Sequence, residues 1–125
     1  MHEMSLAEGI LRIMEDQAAV RGFGRVLRVR VEVGRLAGVE IEALRFSFDA
    51  VMNGSVAEGA VLEIVETPGQ GWCLDCGTTV DISALYDPCP LCGGYRVQAS
   101  GGLEMRVLDL EVDVPSGQAK GPHGG

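Results

Sequence analysis

The spacing of hydrophobic residues changes along this chain, and each change marks an element. Leu6, Ile10, Ile13, Met14 and the Gln17/Ala18 pair recur at intervals of three and four, which puts one apolar stripe on an α-helix. Ser5-Leu6-Ala7-Glu8 has the form of a capping box, with Ser5 capping the first turn and Glu8 reaching back to the backbone N–H of the cap. A helix is therefore predicted from Ser5 to about Arg21, stopped by Gly22 and Gly24. From Val26 to Val33 the period falls to two, with Leu27, Val29, Val31 and Val33 on one side and Arg28, Arg30 and Glu32 on the other, the pattern of a half-buried strand. Gly34 to Gly38 reads as a turn. A second helix is predicted from about Glu40 to Met52, with Ile41, Leu44, Phe48 and Val51 inward and Asn53-Gly54 closing it. Ala60 to Glu66 reads as another strand, with Leu62 and Ile64 facing one way. Leu103 to Val112 reads as a third, its alternation slipping near Leu108-Asp109 as at a bulge.

Between the last two strands the texture changes to short turns and cysteines, after Thr67-Pro68-Gly69-Gln70-Gly71 and up to about Arg96. The expected fold is α+β: a small mixed sheet of about three strands packed against two helices, with an inserted zinc-ribbon-like module. Residues 1–70 plus 99–113 would form the α/β core and 71–98 the inserted module. Residues 114–125, rich in Gly and Pro, are predicted to be a disordered tail.

At 125 residues the chain is long enough for one modest core and an accessory module, not for two full domains. No apolar run approaches the roughly 20 residues of a membrane helix, so no membrane association is expected. The formal charge is -8, and four zinc-bound thiolates would carry it to about -10. Such a chain is a poor binder of polyanions, which argues against nucleic acid as a partner.

The four cysteines stand as Cys73-Leu74-Asp75-Cys76 and Cys89-Pro90-Leu91-Cys92, with Gly77 and Gly93 following the two pairs. Two residues between paired cysteines let a tight turn aim both sulfurs at one point, and a tetrahedral Zn²⁺ held by Cys73, Cys76, Cys89 and Cys92 is the simplest outcome. Disulfides would require a secreted chain, but polar Met1-His2-Glu3 does not resemble a signal peptide, and a reducing, cytoplasmic setting is expected. Four thiolates leave no open coordination position, so the quartet argues for a structural metal and against hydrolysis. Two rivals stay open. One is a rubredoxin-like iron electron carrier, whose knuckles have the same spelling, with Trp72, Tyr86 and Tyr95 as the available aromatic shell. The other is a zinc-ribbon nucleic-acid module, disfavoured because Arg96 is the only basic residue among Asp75, Asp81 and Asp87.

Met1-His2-Glu3 carries a second kind of chemistry. A histidine in position two brings a free α-amine, its own amide nitrogen and its imidazole within chelating reach of one ion, and the Glu3 amide can add a fourth nitrogen. All four can share a plane, which suits Ni²⁺ or Cu²⁺ rather than zinc. Methionine removal normally needs a small second residue, so Met1 should be retained. An imidazole ordinarily near 6.5 and an α-amine near 8 would make such a site weaken on acidification.

The opening Met1-His2-Glu3-Met4-Ser5, the Val-rich strand ending in Gly34, Leu44-Arg45-Phe46-Ser47-Phe48, the cysteine pairs and the closing Glu104-Met105-Arg106-Val107 together resemble the HypA/HybF family over about residues 1 to 113. That resemblance implies a nickel metallochaperone of [NiFe]-hydrogenase maturation, supplying urease in some organisms, and not an enzyme. It implies transferable Ni²⁺ on His2 with the backbone nitrogens of the first residues, and structural zinc on the quartet. Glu3 and Glu40 stand where the family often has an acidic residue near nickel. Some members recruit a histidine from the zinc module; this chain has none there, and its other histidine, His123, lies in the tail. The implied partners are the accessory GTPase of nickel insertion and the hydrogenase large subunit precursor, with a homodimer left open.

Overall fold

In the computed structural model, residues 2–113 are described; Met1 and the tail from residue 114, including His123, lie outside them. Two helices and two three-stranded sheets make up an α+β fold. Helix α1 spans Glu3–Arg21 and ends on Gly22, whose φ of 78° lets its N–H reach back to the Ala18 carbonyl at 2.8 Å. Ala7, Ile10 and Met14 are its buried face, while Ile13, expected inward, is 44% exposed at the flank of the stripe.

The start of α1 departs from the capping box. The helix begins at Glu3, two residues earlier than the pattern predicts, with His2 as N-cap and no side-chain cap. Ser5 is exposed inside the first turn. The carbonyl of His2 already accepts the Leu6 N–H at 3.1 Å, so Ser5 has helical surroundings on both sides and no terminus to cap.

Strand β1 (Arg25–Gly34) buries Val26, Val29, Val31 and Val33. Leu27, expected inward with these valines, is 40% exposed, because two consecutive residues, Leu27 and Arg28, face out and shift the alternation before Val29. Helix α2 (Ile41–Met52) starts one residue after Glu40, which serves as its N-cap; Leu44, Ser47, Phe48 and Met52 are buried and Val51 is half-buried. The two helices pack on one another. Strands β2 (Val61–Thr67) and β6 (Met105–Asp113) flank β1 in the order β2-β1-β6. In β6 the slip falls at Val107 and Leu108, both half-buried. Across the strands run ion pairs: Arg28 meets Glu111 at 2.8 Å and Glu63 at 3.4 Å, Arg30 meets Asp109 at 2.7 Å, and Arg106 meets Glu32 at 3.3 Å.

The cysteine segment has a sheet of its own. β3 (Gly69–Cys73) pairs antiparallel with β4 (Thr78–Ile82) on one side and β5 (Val97–Gly101) on the other. Leu36, Cys73, Val80, Ile82 and Cys89 form a small core, with Val97 and Ala99 against it. By contacts the described chain divides into two compact units, residues 31–39 with 64–106, and residues 2–30 with 40–63 and 107–113. Among the described residues no helix is long and apolar enough to cross a membrane.

Candidate metal centres

The four sulfurs are brought together by the β3–β4 turn and by the loop entering β5. Their ligand atoms all lie within 4.8 Å of one another, with Cys73 to Cys92 at 3.7 Å and Cys76 to Cys89 at 3.9 Å. A tetrahedron with metal–sulfur bonds of about 2.3 Å has edges of roughly 3.8 Å. The quartet thus has the size of a zinc site. Both knuckles have the same backbone. The N–H of Gly77 bonds the Cys73 carbonyl at 2.8 Å and that of Gly93 bonds the Cys89 carbonyl at 2.8 Å. Gly77 and Gly93 have φ of 67° and 76°, the left-handed region that each turn requires.

Backbone donors face the sulfurs: the N–H of Cys76 lies 3.4 Å from Cys73 Sγ, that of Leu91 3.3 Å from Cys89 Sγ, and that of Gly94 3.4 Å from Cys92 Sγ. Such donors stabilise thiolate charge. As free thiols Cys76 and Cys89 are mismatched. Hydrogen bonds with Cys92 and Cys73 push Cys76 up to about 12, while the Cys92 backbone N–H pulls Cys89 down to about 7 against its burial. A divalent cation resolves that conflict by taking the charge of all four thiolates at once. Arg96 pairs with Asp75 at 3.0 Å, and its carbonyl accepts the Leu74 N–H at 2.9 Å. The only basic side chain of the segment is thereby engaged. Trp72, Tyr86 and Tyr95 are exposed, and so offer no dense aromatic shell of the kind an iron carrier would use.

The other candidate residues gather at the start of α1. His2 is exposed and Glu3 half-buried. Glu3 Oε2 accepts the backbone N–H of Glu40 at 2.9 Å, and Glu40 Oε1 accepts the N–H groups of Glu42 and Ala43 at 3.0 and 3.2 Å. The bond from the Glu40 N–H holds the Glu3 carboxyl below the usual range. The positive end of α2 thus receives two carboxylates, one from its own cap and one from the first turn of α1. The family resemblance named both acids but not this contact, since a side chain of α1 binding the backbone of a residue 37 positions away leaves no periodic trace.

Helix geometry adds a property of the amides. Among the described residues, the first N–H of α1 bonded to a carbonyl four residues behind it is that of Leu6, which bonds His2. The N–H groups at the start of a helix, here those of His2 and Glu3, have no helical carbonyl to bond.

A family model described as hydrogenase/urease nickel incorporation, metallochaperone, hypA, matches residues 1–112. The chain belongs to the HypA family. It is 58% identical over 113 residues to the hydrogenase maturation factor HypA of Azotobacter chroococcum mcd 1, covering 90% of this chain and all of that one. It is 59% identical over 112 residues to that of Cereibacter sphaeroides, covering 90% of this chain and 99% of that one. Among solved structures, the nickel metallochaperone HypA from Helicobacter pylori superposes with a TM-score of 0.66 at 28% identity, over 92% of this chain and all of that one. HypA proteins are metallochaperones of nickel incorporation rather than enzymes. A closed cysteine quartet that fits structural zinc agrees with that role.

Proposed function

We propose that this chain binds Ni²⁺ at its N-terminus and delivers it during [NiFe]-hydrogenase maturation. The imidazole of His2 and its amide nitrogen would hold the ion, with the Met1 amine and the Glu3 amide completing a plane. Glu3 and Glu40 would lie beside it as carboxylates. The observation that carries this reading is the start of α1, where an exposed His2 is the N-cap and the amides of His2 and Glu3 are outside the helical bonding pattern. Giving up their protons to a metal breaks no backbone hydrogen bond of the helix. Two deprotonated amides would neutralise Ni²⁺, and anionic nitrogens are favoured at the positive end of a helix dipole. Binding releases protons, so it weakens on acidification and the cargo stays exchangeable.

The quartet of Cys73, Cys76, Cys89 and Cys92 would keep its zinc while nickel comes and goes. In this reading residues 71–98 are the zinc module and the rest of the described chain the nickel-binding core. The accessory GTPase of nickel insertion and the large subunit precursor are the proposed partners, in the cytoplasm, and self-association is a separate question for sedimentation.

The test is nickel titration with elemental analysis on untagged protein, on His2→Ala and on a form extended by one residue ahead of Met1. One nickel per chain is expected for the parent, none for His2→Ala and weakened binding for the extended form, with one zinc in all three. Unchanged nickel binding by His2→Ala would refute the terminal site. Normal affinity in the extended form would remove the amine from the ligand set.

A further inference from the structure

Phe46 is 74% exposed, although it lies in the middle of α2, where Leu44, Phe48 and Met52 are buried and Ile41 and Val51 are half-buried. At 100° per residue it faces away from both Leu44 and Phe48. Neither packing nor helix propensity explains a phenylalanine there, since aromatic residues are only middling helix formers. Its helical neighbours are unusual in combination. Glu42 and Asp49 stand four residues before and three after it, and Ala43 and Ala50 occupy the remaining adjacent positions. Two alanines leave the ring clear on one side, and two carboxylates border it on the other. Neither acid forms an ion pair among the described residues. Arg45, the one cation on α2, donates to the Leu62 carbonyl at 3.1 Å.

We infer that this face of α2 is a docking surface, with Phe46 as the anchor, for a partner protein that offers an apolar pocket rimmed by lysine or arginine. Charge complementarity selects that occupant. A second copy of the chain brought to the same face would set Glu42 and Asp49 against their own counterparts, which is unfavourable. The position also suits delivery. Phe46 is six residues past the Glu40 cap, about 9 Å along the helix, and Glu40 is the residue whose N–H binds the Glu3 carboxylate. A partner seated here is held close to the start of α1. The surface rests on the delivery reading above only for the choice of probe.

The experiment measures binding of the zinc-loaded full chain to the purified accessory GTPase of the same organism by calorimetry and by association kinetics. Phe46→Ala should weaken binding about thirty-fold, the ordinary size for an aromatic anchor at an interface, and Phe46→Leu should recover most of the loss. Glu42→Lys/Asp49→Lys should slow association about ten-fold at low salt, an effect that shrinks as salt is raised. Helical circular dichroism and nickel stoichiometry of Phe46→Ala should match the parent. Binding of Phe46→Ala within two-fold of the parent overturns the proposal, as does faster association after charge reversal or failure of the parent to bind. A parent dimer that Phe46→Ala converts to monomer also overturns it, in favour of a self-association face. If His2→Ala keeps its nickel while Phe46→Ala still weakens docking, the terminal metal site fails and the docking surface stands.

Discussion

A methyl group placed at Gly34 has nowhere to go. It would fall against the carbonyl of Gly102 and 2.8 Å from the Gly102 Cα, inside the 3.0 Å that real Cβ atoms keep, and the obstacle is backbone rather than a side chain that can swing aside. Gly34 donates to the Glu104 carbonyl at 2.8 Å and the Leu36 N–H donates to the Gly102 carbonyl at 2.8 Å, so moving the segments apart stretches two hydrogen bonds at once. Overpacking costs about 1–3 kcal/mol and each backbone bond contributes about 1 kcal/mol. Reduced freedom of the unfolded chain returns about 0.4–1 kcal/mol, leaving Gly34→Ala less stable by about 2–4 kcal/mol, or roughly 10 °C in melting temperature. Gly9 is the control. It lies inside α1, and a methyl there would meet nothing within 4 Å, so Gly9→Ala should gain about 0.5–1 kcal/mol from helix propensity. Thermal and urea unfolding of zinc-loaded protein, with zinc content confirmed equal, gives both values. If Gly34→Ala melts with the parent, or Gly9→Ala melts below it, the packing reasoning is wrong.

Three further outcomes are expected. The Glu3 carboxyl is held below 4.5 in the folded chain by the Glu40 N–H, so its contribution is present above about 4.5 and is lost as pH falls through the folded value; Glu3→Gln should flatten that part of the urea-midpoint profile, and an unchanged profile would show that the bond does not form in solution. Arg28→Ala removes contacts to Glu111 and Glu63 that are about half exposed, and should cost less than about 1 kcal/mol at low salt and nothing measurable at high salt; a larger, salt-independent loss would contradict a surface pair. Purified protein should be colourless with one zinc per chain, and a chelator should free four titratable thiols while the near-ultraviolet signal of Trp72 changes; a red sample with one iron would reverse the choice of metal.

Much of the fold follows from periodicity because long elements average over many residues. Helix α2 and β1 were legible from Leu44, Phe48 and the valines, each in register with a buried face. The start of α1 was not, because Ser5-Leu6-Ala7-Glu8 satisfies the capping pattern whether or not a helix begins there, and nothing in the local sequence reveals that His2 already has a helical carbonyl. The strands around the cysteines were missed for a different reason. Gly69-Gln70-Gly71-Trp72-Cys73 has poor strand propensity, and it becomes a strand because pairing on both sides and sulfur clustering at Cys73 hold it there. The cysteine spacing was the most legible part of the site, since chelation constrains sequence directly. The relation of Glu3 to Glu40 emerges only in three dimensions.

That relation makes Glu3 a member of two helices, with its backbone in the first turn of α1 and its carboxylate holding the N-cap of α2. If its amide takes a metal and the carboxylate shifts with it, the change reaches the cap of α2. Linkage requires the converse with the same free energy: whatever binds and distorts the first turn of α2 must alter the affinity for the ion. A receiver seated on α2 would then tune the hold on the cargo through a single carboxylate, and nickel affinity measured with and without it gives the sign.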